Sequence, residues 1–266
     1  MSRPVRLAIN GASGRMGGAL LALLGDDRRF ELVHAVVAQG SSRDGQPVVP
    51  ANPASLRYAH DWSAAPAMDV VIDFSGQAGL NAALDHCLAQ GVALVSGTTG
   101  IDAALEARLA SASERIAILR AANFSLGVAM LTRLLHDAAA ALPGWDMEIV
   151  EAHHGRKLDA PSGTALALGQ AAAAARGTTL EEAGLHDRQD RSGERVGGSI
   201  GFAVIRGGDI VGEHTAMLIG QGERLELTHR ATDRSVFARG ALHAAHWLAG
   251  RPPGHWQLAD VIAPPR

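Results

Sequence analysis

Short apolar runs alternate with longer amphipathic stretches over the first half of the chain. Residues 5–10 are apolar enough for a buried strand, and apolar positions from Met16 to Leu24 then recur on one side of a helix. Helices are also expected near 78–89 and 102–113. Such alternation predicts a parallel, doubly wound α/β sheet. Its other strands are predicted at residues 30–37, 69–74, 92–96 and 116–121.

The pattern changes after residue 125. A helix at 128–142 and a strand at 147–152 are followed by strand-like runs with no helix between them. These runs, at 199–205, 210–218 and 224–229, predict a second α+β domain with an antiparallel or mixed sheet. The final helix, 236–248, is amphipathic, and we expect it to pack on the first domain.

Composition narrows the class of protein. The 266 residues are 47% hydrophobic, which is enough for a substantial core, and the formal charge of -3 with scattered Lys and Arg argues against nucleic-acid binding. The single cysteine, Cys87, rules out an intramolecular disulfide and fits a reducing compartment. The first apolar run is too short for a signal peptide, and no run approaches a membrane span. We therefore expect a cytoplasmic protein without membrane partners.

A glycine-rich loop follows the first strand. Gly11, Gly14 and Gly17 form G-x-x-G-x-x-G, a variant of the dinucleotide-binding pattern with Ser13 at its usual middle glycine. Gly11 is expected to make a tight turn, Gly14 to admit a pyrophosphate, and Gly17 to let the helix pack closely on the strand. The position between a strand and a helix favours nucleotide binding over a purely structural turn.

A second loop, Ser96–Gly100, contains Gly97, Thr98 and Thr99 and also follows a strand. Ligands of open α/β sheets bind at the carboxyl ends of the strands, so both loops are expected to face one ligand. A Thr/Gly turn with a helix cap is the alternative for this loop taken alone.

The segment 151–164 combines His153 and His154 with Arg156 and Lys157 before a helix-start signature at Ser162. Helix N-termini bind carboxylates and phosphates, so these residues predict an anion site with a proton donor beside it. A solvated turn with an ordinary cap is the alternative. A metal site is less favoured, because adjacent strand side chains point to opposite faces and the nearby cations repel a metal ion.

Seven motifs are spread along the chain: GASGRMG, DFS, SGTTG, AANFS, EAHHGRKLDAPSGTA, GDIVGEHTA and SVFARGALHAAHWLAG. Together they resemble the bacterial 4-hydroxy-tetrahydrodipicolinate reductases (dihydrodipicolinate reductases) over essentially the whole chain. This resemblance implies a Rossmann-type domain completed by the C-terminal helix and a mixed α/β substrate domain. It also implies a homotetramer that uses NADH or NADPH on a small dicarboxylate in diaminopimelate and lysine biosynthesis.

The resemblance also implies residue roles. His153 matches the family's proposed general acid, and Lys157 matches the lysine that acts with it in catalysis. The residues that match contacts to the substrate carboxylates are His154, Ser162, Gly163 and Thr164. The resemblance implies that the cofactor contacts Gly11, Arg15, Met16, Gly97, Thr99, Ala121, Asn123 and Phe124. The analysis of the two loops adds Gly14, Gly17 and Thr98 to these contacts. Residues 1–125 with 235–266 are then the dinucleotide-binding domain, and 126–234 the substrate-binding and oligomerisation domain.

Two other functions compete with this one. Aspartate-semialdehyde or glyceraldehyde-phosphate dehydrogenase chemistry needs a cysteine nucleophile, but Cys87 lies inside a helical stretch and is interpreted as a core residue. A regulator that only senses NAD(P)H would need no proton donor beside an anion site. His214, within GEHTA, is left open between sheet packing and ligand contact.

The second strand predicts the cofactor preference. A carboxylate at its end would bind both ribose hydroxyls and repel a 2′-phosphate, but Val37 and Ala38 stand there. Arg43 or Arg15 could instead bind the phosphate through two hydrogen bonds.

We expect that the protein uses both NADH and NADPH or prefers NADPH, measured as kcat/KM with both cofactors. A large advantage for NADH would contradict this, and an unchanged preference in Arg43→Ala would exclude Arg43.

Overall fold

The computed structural model describes residues 3–49, 51–52, 54–188 and 193–263. The chain divides into two compact units, Met1–Ser125 with Ser235–Arg266, and Leu126–Arg234. Within the described ranges, no helix is both long and apolar enough to cross a membrane.

In its described residues the first unit begins with five strands and three helices. In chain order these elements are β1 (Val5–Asn10), α1 (Arg15–Leu24), β2 (Phe30–Val36), β3 (Val70–Asp73), α2 (Gln77–Gln90), β4 (Ala93–Ser96), α3 (Ala103–Ala112) and β5 (Ala117–Arg120). The strand β1 has the predicted bounds, because its apolar run ends sharply at the glycine loop, and the other elements differ from prediction by one or two residues.

In its described residues the second unit contains three helices and five strands. In chain order these elements are α4 (Leu126–Ala141), β6 (Asp146–His153), α5 (Gly163–Ala175), α6 (Leu180–Ala183), β7 (Gly184–Leu185), β8 (Ile200–Arg206), β9 (Gly212–Ile219) and β10 (Arg224–Ala231). Two of them, α6 and β7, are absent from the prediction because they are too short to show a period.

The chain then returns to the first unit with α7 (Ser235–Leu248), β11 (Gly254–Trp256) and α8 (Leu258–Val261). The helix α7 packs on α1 and on β3, β4 and β5. Its approach is close, because a Cβ at Gly240 would overlap the Phe124 carbonyl. The short strand β11 and helix α8 were not predicted.

The sheet of the first unit has the order β11-β5-β4-β3-β1-β2, and all its pairs are parallel. The predicted parallel, doubly wound sheet is therefore confirmed. Every residue of β3 and β4 is buried, as expected of strands covered on both faces. Cys87 is fully buried in α2 within the hydrophobic core, and burial raises the pKa of its thiol.

The second sheet has the order β10-β9-β6-β8-β7. Antiparallel pairing joins β10, β9 and β6, while β6, β8 and β7 are parallel, so the predicted mixed sheet is confirmed. Burial alternates along β9, with its buried Ala216 and Leu218 packing in a core that includes Leu135 of α4 and Leu168 of α5. This arrangement leaves the carboxyl end of β6 beside the start of α5.

Candidate active site

The glycine loop of the first unit is a tight turn between β1 and α1. Gly11 has φ +81°, and a Cβ there would lie 2.5 Å from the Phe74 carbonyl oxygen. A Cβ at Gly17 would overlap the carbonyl oxygens of Gly11 and Ala12, so the helix packs tightly on the turn. Gly14 is the N-cap of α1 and has an extended conformation. The backbone therefore requires glycine at the first and third positions, in agreement with the sequence argument.

A cavity of about 290 Å³ lies at the carboxyl edge of this sheet. It brings together five residues predicted to contact the cofactor, namely Arg15, Met16, Gly97, Thr98 and Thr99. The loop after β3 completes its wall with Phe74, Ser75 and Gly76, which the sequence analysis did not assign to the site.

Asp73, at the end of β3, holds the loops around this cavity in place. It is fully buried, and its carboxylate accepts hydrogen bonds from Asn10 Nδ2 (2.8 Å), Ser75 Oγ (2.5 Å), Ser96 Oγ (2.8 Å) and Thr98 Oγ1 (2.7 Å). The Thr98 hydroxyl is therefore committed to loop structure. The sequence signal for Asp73 was an acidic residue ending an otherwise apolar strand.

The remaining predicted cofactor residues follow β5. The Ala121 amide donates to the Ser96 carbonyl (3.1 Å), and Asn123 Oδ1 accepts from the Ser125 amide (2.8 Å). Phe124 is buried and packs edge-to-face on Phe74, with ring centroids 5.5 Å apart. These three residues shape the loop behind the cavity and are not among the residues that line it.

The two arginines proposed to contact a 2′-phosphate differ in position. Arg15 is exposed and lines the cavity. Arg43 lies in an exposed turn after β2 and is not one of the lining residues. At the end of β2, Val37 is buried and its amide donates to the Ala59 carbonyl, so neither its side chain nor its amide is available to a ribose.

In the second unit, Glu151 is the centre of the site. The side chain is 1% exposed, and its carboxylate accepts hydrogen bonds from Arg206 (2.7 and 2.8 Å), His153 Nδ1 (2.6 Å) and the Ser162 amide (2.9 Å). Burial raises the pKa of this carboxyl group, but the bonds from Arg206, His153 and Ser162 outweigh burial and hold the pKa below its usual value. Glu151 is therefore a buried anion at neutral pH.

His153, at the end of β6, is held by this anion. Its Nδ1 faces Glu151, and its ring meets the His214 ring edge-on at 5.2 Å. Its Nε2 lies on the Gly212 side, where a Cβ would come within 3.1 Å. The side chain is 12% exposed, so the ring is oriented by protein contacts and still reaches solvent.

Lys157 lies in the loop after β6. Its ammonium pairs with both carboxylate oxygens of Asp159 (2.8 Å each), a partner that the sequence analysis did not assign. The Asp159 carbonyl accepts from Arg206 (2.7 Å), which joins this loop to the Glu151 cluster. Arg206 was also missed, because it comes from β8, where it is the register partner of His153, and local sequence patterns do not show that pairing.

Ser162 caps α5, as predicted. Its Oγ accepts from the Ala165 amide (3.2 Å) and lies 3.0 Å from His214 Nε2. His214 is buried on β9, and its Nδ1 has no hydrogen-bond partner among the described residues. The structure thus places His214 against both Ser162 and His153.

The other predicted carboxylate contacts surround this cap. Gly163 is exposed and opens α5, and Thr164 is the second residue of the helix. His154 follows His153, its amide donating to the Ile210 carbonyl (2.8 Å), and burial together with nearby arginines lowers its pKa. No group of three or more metal-ligating side chains lies together in the part of the chain that the structure describes.

Comparison with known proteins supplies the family. Residues 5–124 match the family described as "Dihydrodipicolinate reductase, N-terminus", and residues 127–262 match "Dihydrodipicolinate reductase, C-terminus". The chain belongs to the dihydrodipicolinate reductase family. Both matched ranges belong to one family, in agreement with the resemblance inferred from sequence.

The chain is also similar to individual members of this family. The chain is 47% identical over 262 residues to 4-hydroxy-tetrahydrodipicolinate reductases from Xanthomonas campestris pv. campestris (strain B100) and from Thiobacillus denitrificans, covering 97% of this chain and 98% of each relative. Among solved structures, it is similar to a dipicolinate-bound dihydrodipicolinate reductase from Paenisporosarcina sp. TG-14. The TM-score is 0.79 at 22% identity, covering 97% of this chain and 100% of the other.

Burial of His214 predicts a pH effect on stability. Burial, reinforced by the nearby His153, lowers the pKa of His214 to about 4. The unfolded chain binds this proton near pH 6.5, so the stability contributed by the neutral ring is complete above that pH and is lost as pH falls toward 4. The loss amounts to roughly 3 kcal/mol at most. Urea unfolding between pH 7 and 4 measures it. His214→Gln should have a flatter profile, and an equally steep one would contradict the assignment.

Proposed function

We propose that this chain reduces 4-hydroxy-tetrahydrodipicolinate to tetrahydrodipicolinate with NADH or NADPH, in diaminopimelate and lysine biosynthesis. Its relatives at 47% identity carry the name of this activity. The observation that carries the proposal is the buried Glu151, which binds the His153 ring and the Ser162 amide at once. A proton donor and a carboxylate-binding helix start are thus held by one side chain.

The first unit is proposed as the dinucleotide-binding domain. The left-handed turn at Gly11 and the N-terminus of α1 at the carboxyl edge of a parallel sheet suit a pyrophosphate. Arg15 supplies a cation in the adjoining cavity. The proposed cofactor contacts remain those inferred from sequence, with Thr98 acting through its backbone. When bound, the cofactor supplies a hydride.

The second unit is proposed to bind the dicarboxylate. Ser162, Gly163 and Thr164 form the start of α5, where backbone N–H groups and hydroxyls stabilise a carboxylate. His154 is proposed as an additional contact. The dipicolinate-bound structure of a family member supports planar dicarboxylates as probes of this site.

Reduction of a conjugated imine requires a proton at the electron-rich carbon that results, and His153 is proposed to supply it. In the protonated ring both nitrogens carry hydrogen. Nδ1–H is bound by Glu151, which leaves Nε2–H as the group that can be donated. Histidine suits this role because it changes protonation near neutral pH.

Lys157 is proposed to bring a positive charge and hydrogen-bond donors to the substrate and to assist loss of water. In the structure its ammonium is paired with Asp159, which is 60% exposed and can turn toward solvent. Exchange of this surface carboxylate for a substrate carboxylate would conserve the charge balance around the ammonium.

We propose that the protein is cytoplasmic and assembles as a homotetramer. Val204, Ile205 and Leu225 on the second sheet are exposed apolar side chains of the kind that subunit contacts bury. This support adds to the assembly implied by the sequence resemblance.

The alternative function is a regulator that binds NAD(P)H without turnover. An assay coupled to dihydrodipicolinate synthase separates the two, because only a reductase oxidises NAD(P)H when the synthase product is present. Binding of the dinucleotide without this substrate-dependent oxidation would overturn the proposal.

The catalytic assignment predicts that His153→Ala and Lys157→Ala fold normally and lose turnover. Each removes a group that is used once the substrate is engaged, and general acid catalysis is worth about 10²–10⁴ in rate. The coupled assay at saturating substrate measures kcat, and thermal unfolding checks the fold. Near-wild-type turnover in both variants would mean that the roles belong to other residues.

The carboxylate assignment predicts that Thr164→Val weakens dipicolinate binding. A charge-assisted hydrogen bond is worth roughly 1.5–3 kcal/mol, or about tenfold or more in affinity. Calorimetric titration with dipicolinate and with NADPH measures both sites. Thr132→Val is the matched control, because the Thr132 hydroxyl donates to its own helix at the Val128 carbonyl. Equal losses for both ligands in Thr164→Val would show that α5 serves the cofactor.

A further inference from the structure

Two oppositely charged side chains meet behind His153. Glu151 accepts the Nδ1 hydrogen bond of the ring, and Arg206 binds both oxygens of Glu151 from the next strand. His153 and Arg206 are register partners on β6 and β8. The ring, the carboxylate and the guanidinium therefore form a fixed series of charges.

The guanidinium has little freedom to leave this series. Arg206 Nη1 also donates to the Ile205 carbonyl (2.8 Å), and Nη2 donates to the Asp159 carbonyl (2.7 Å). Four hydrogen bonds thus hold it in place. A cation in this position reduces the negative potential that Glu151 exerts on the ring of His153.

Other titratable groups lie around the Glu151 cluster. His214, on β9, contacts the His153 ring edge-on and is kept neutral by burial. His154, the next residue, interacts electrostatically with His153, and burial and nearby cations lower its pKa. Lys157, from the loop after β6, is paired with Asp159. None of these groups replaces the hydrogen-bonded pair of charges at Nδ1.

We propose that Glu151 and Arg206 are positioning residues that set the proton affinity of His153 in opposite directions, Glu151 strengthening it and Arg206 weakening it. The inference rests on the proposed role of His153 as proton donor. Glu151 also fixes the orientation of the ring, with Nε2 on the Gly212 side, as carboxylates do for histidines in other catalytic and metal sites.

The test is the pH dependence of kcat/KM in the coupled assay. Activity that needs a protonated His153 falls as pH rises, and this alkaline limb reports the free enzyme. In Glu151→Gln the limb should move to lower pH, and in Arg206→Met to higher pH, each by about one unit or more. Arg206→Lys should restore a limb close to that of the wild type, because it keeps the charge.

Glu148→Gln is the matched control. Glu148 lies on the same strand and pairs with Arg188 and Arg195, but its side chain is on the opposite face of the sheet from Glu151. The variant loses a similar ion-pair network and should leave the alkaline limb in place. Thermal unfolding and dipicolinate titration report whether each variant is folded. If Glu151→Gln fails to fold, the shift of the alkaline limb in Arg206→Met tests the inference by itself.

The inference would be overturned if the alkaline limbs of Glu151→Gln and Arg206→Met moved in the same direction. It would also be overturned if they stayed in place in folded variants. The turnover of the His153→Ala variant distinguishes failure of the positioning inference from failure of the proposed function. If His153→Ala keeps wild-type turnover, the proton-donor assignment fails. If His153→Ala loses turnover but the Glu151 and Arg206 variants keep the wild-type limb, only the positioning inference fails. If the proton-donor role and the positioning inference are both correct, the double variant with Glu151→Gln and His153→Ala should be no slower than His153→Ala alone.

Discussion

The second unit depends on the burial of one negative charge. An isolated carboxylate in a protein interior costs several kcal/mol, so Glu151 is tolerated only because every donor around it is in place. These donors come from β6, from β8 and from the start of α5. The requirement to satisfy Glu151 therefore fixes His153, Arg206 and the Ser162 cap relative to one another.

The first unit follows the same physical rule with neutral donors. Asp73 is buried at the end of β3 and receives hydrogen bonds from Asn10, Ser75, Ser96 and Thr98. Its effect is to hold the ends of three parallel strands and their loops around a cavity. In both units a buried carboxylate at or near the end of a strand holds the surrounding loops in place, while the glycines only permit the close backbone approach.

Sequence patterns predicted the long elements well and the connections between them poorly. β1 and the Ser162 cap were correct because their signals are local, an apolar run ended by glycine and a Pro-Ser helix start. The strands β7 and β11, of two and three residues, contain too few positions to show a period. Arg206 could not be assigned from its neighbours, since its role arises from pairing with Glu151 across 55 residues of chain.

Imidazole nitrogen NMR of His153 tests the central claim most directly, namely that Glu151 orients the ring of His153, the proposed proton donor. In the neutral ring the hydrogen bond to Glu151 should place the proton on Nδ1 and leave Nε2 bare. Long-range ¹H–¹⁵N spectra of the labelled protein at alkaline pH distinguish the two tautomers, with His153→Gln providing the assignment. The Nδ1–H form is the predicted result. A neutral ring that carries its proton on Nε2 would contradict the account.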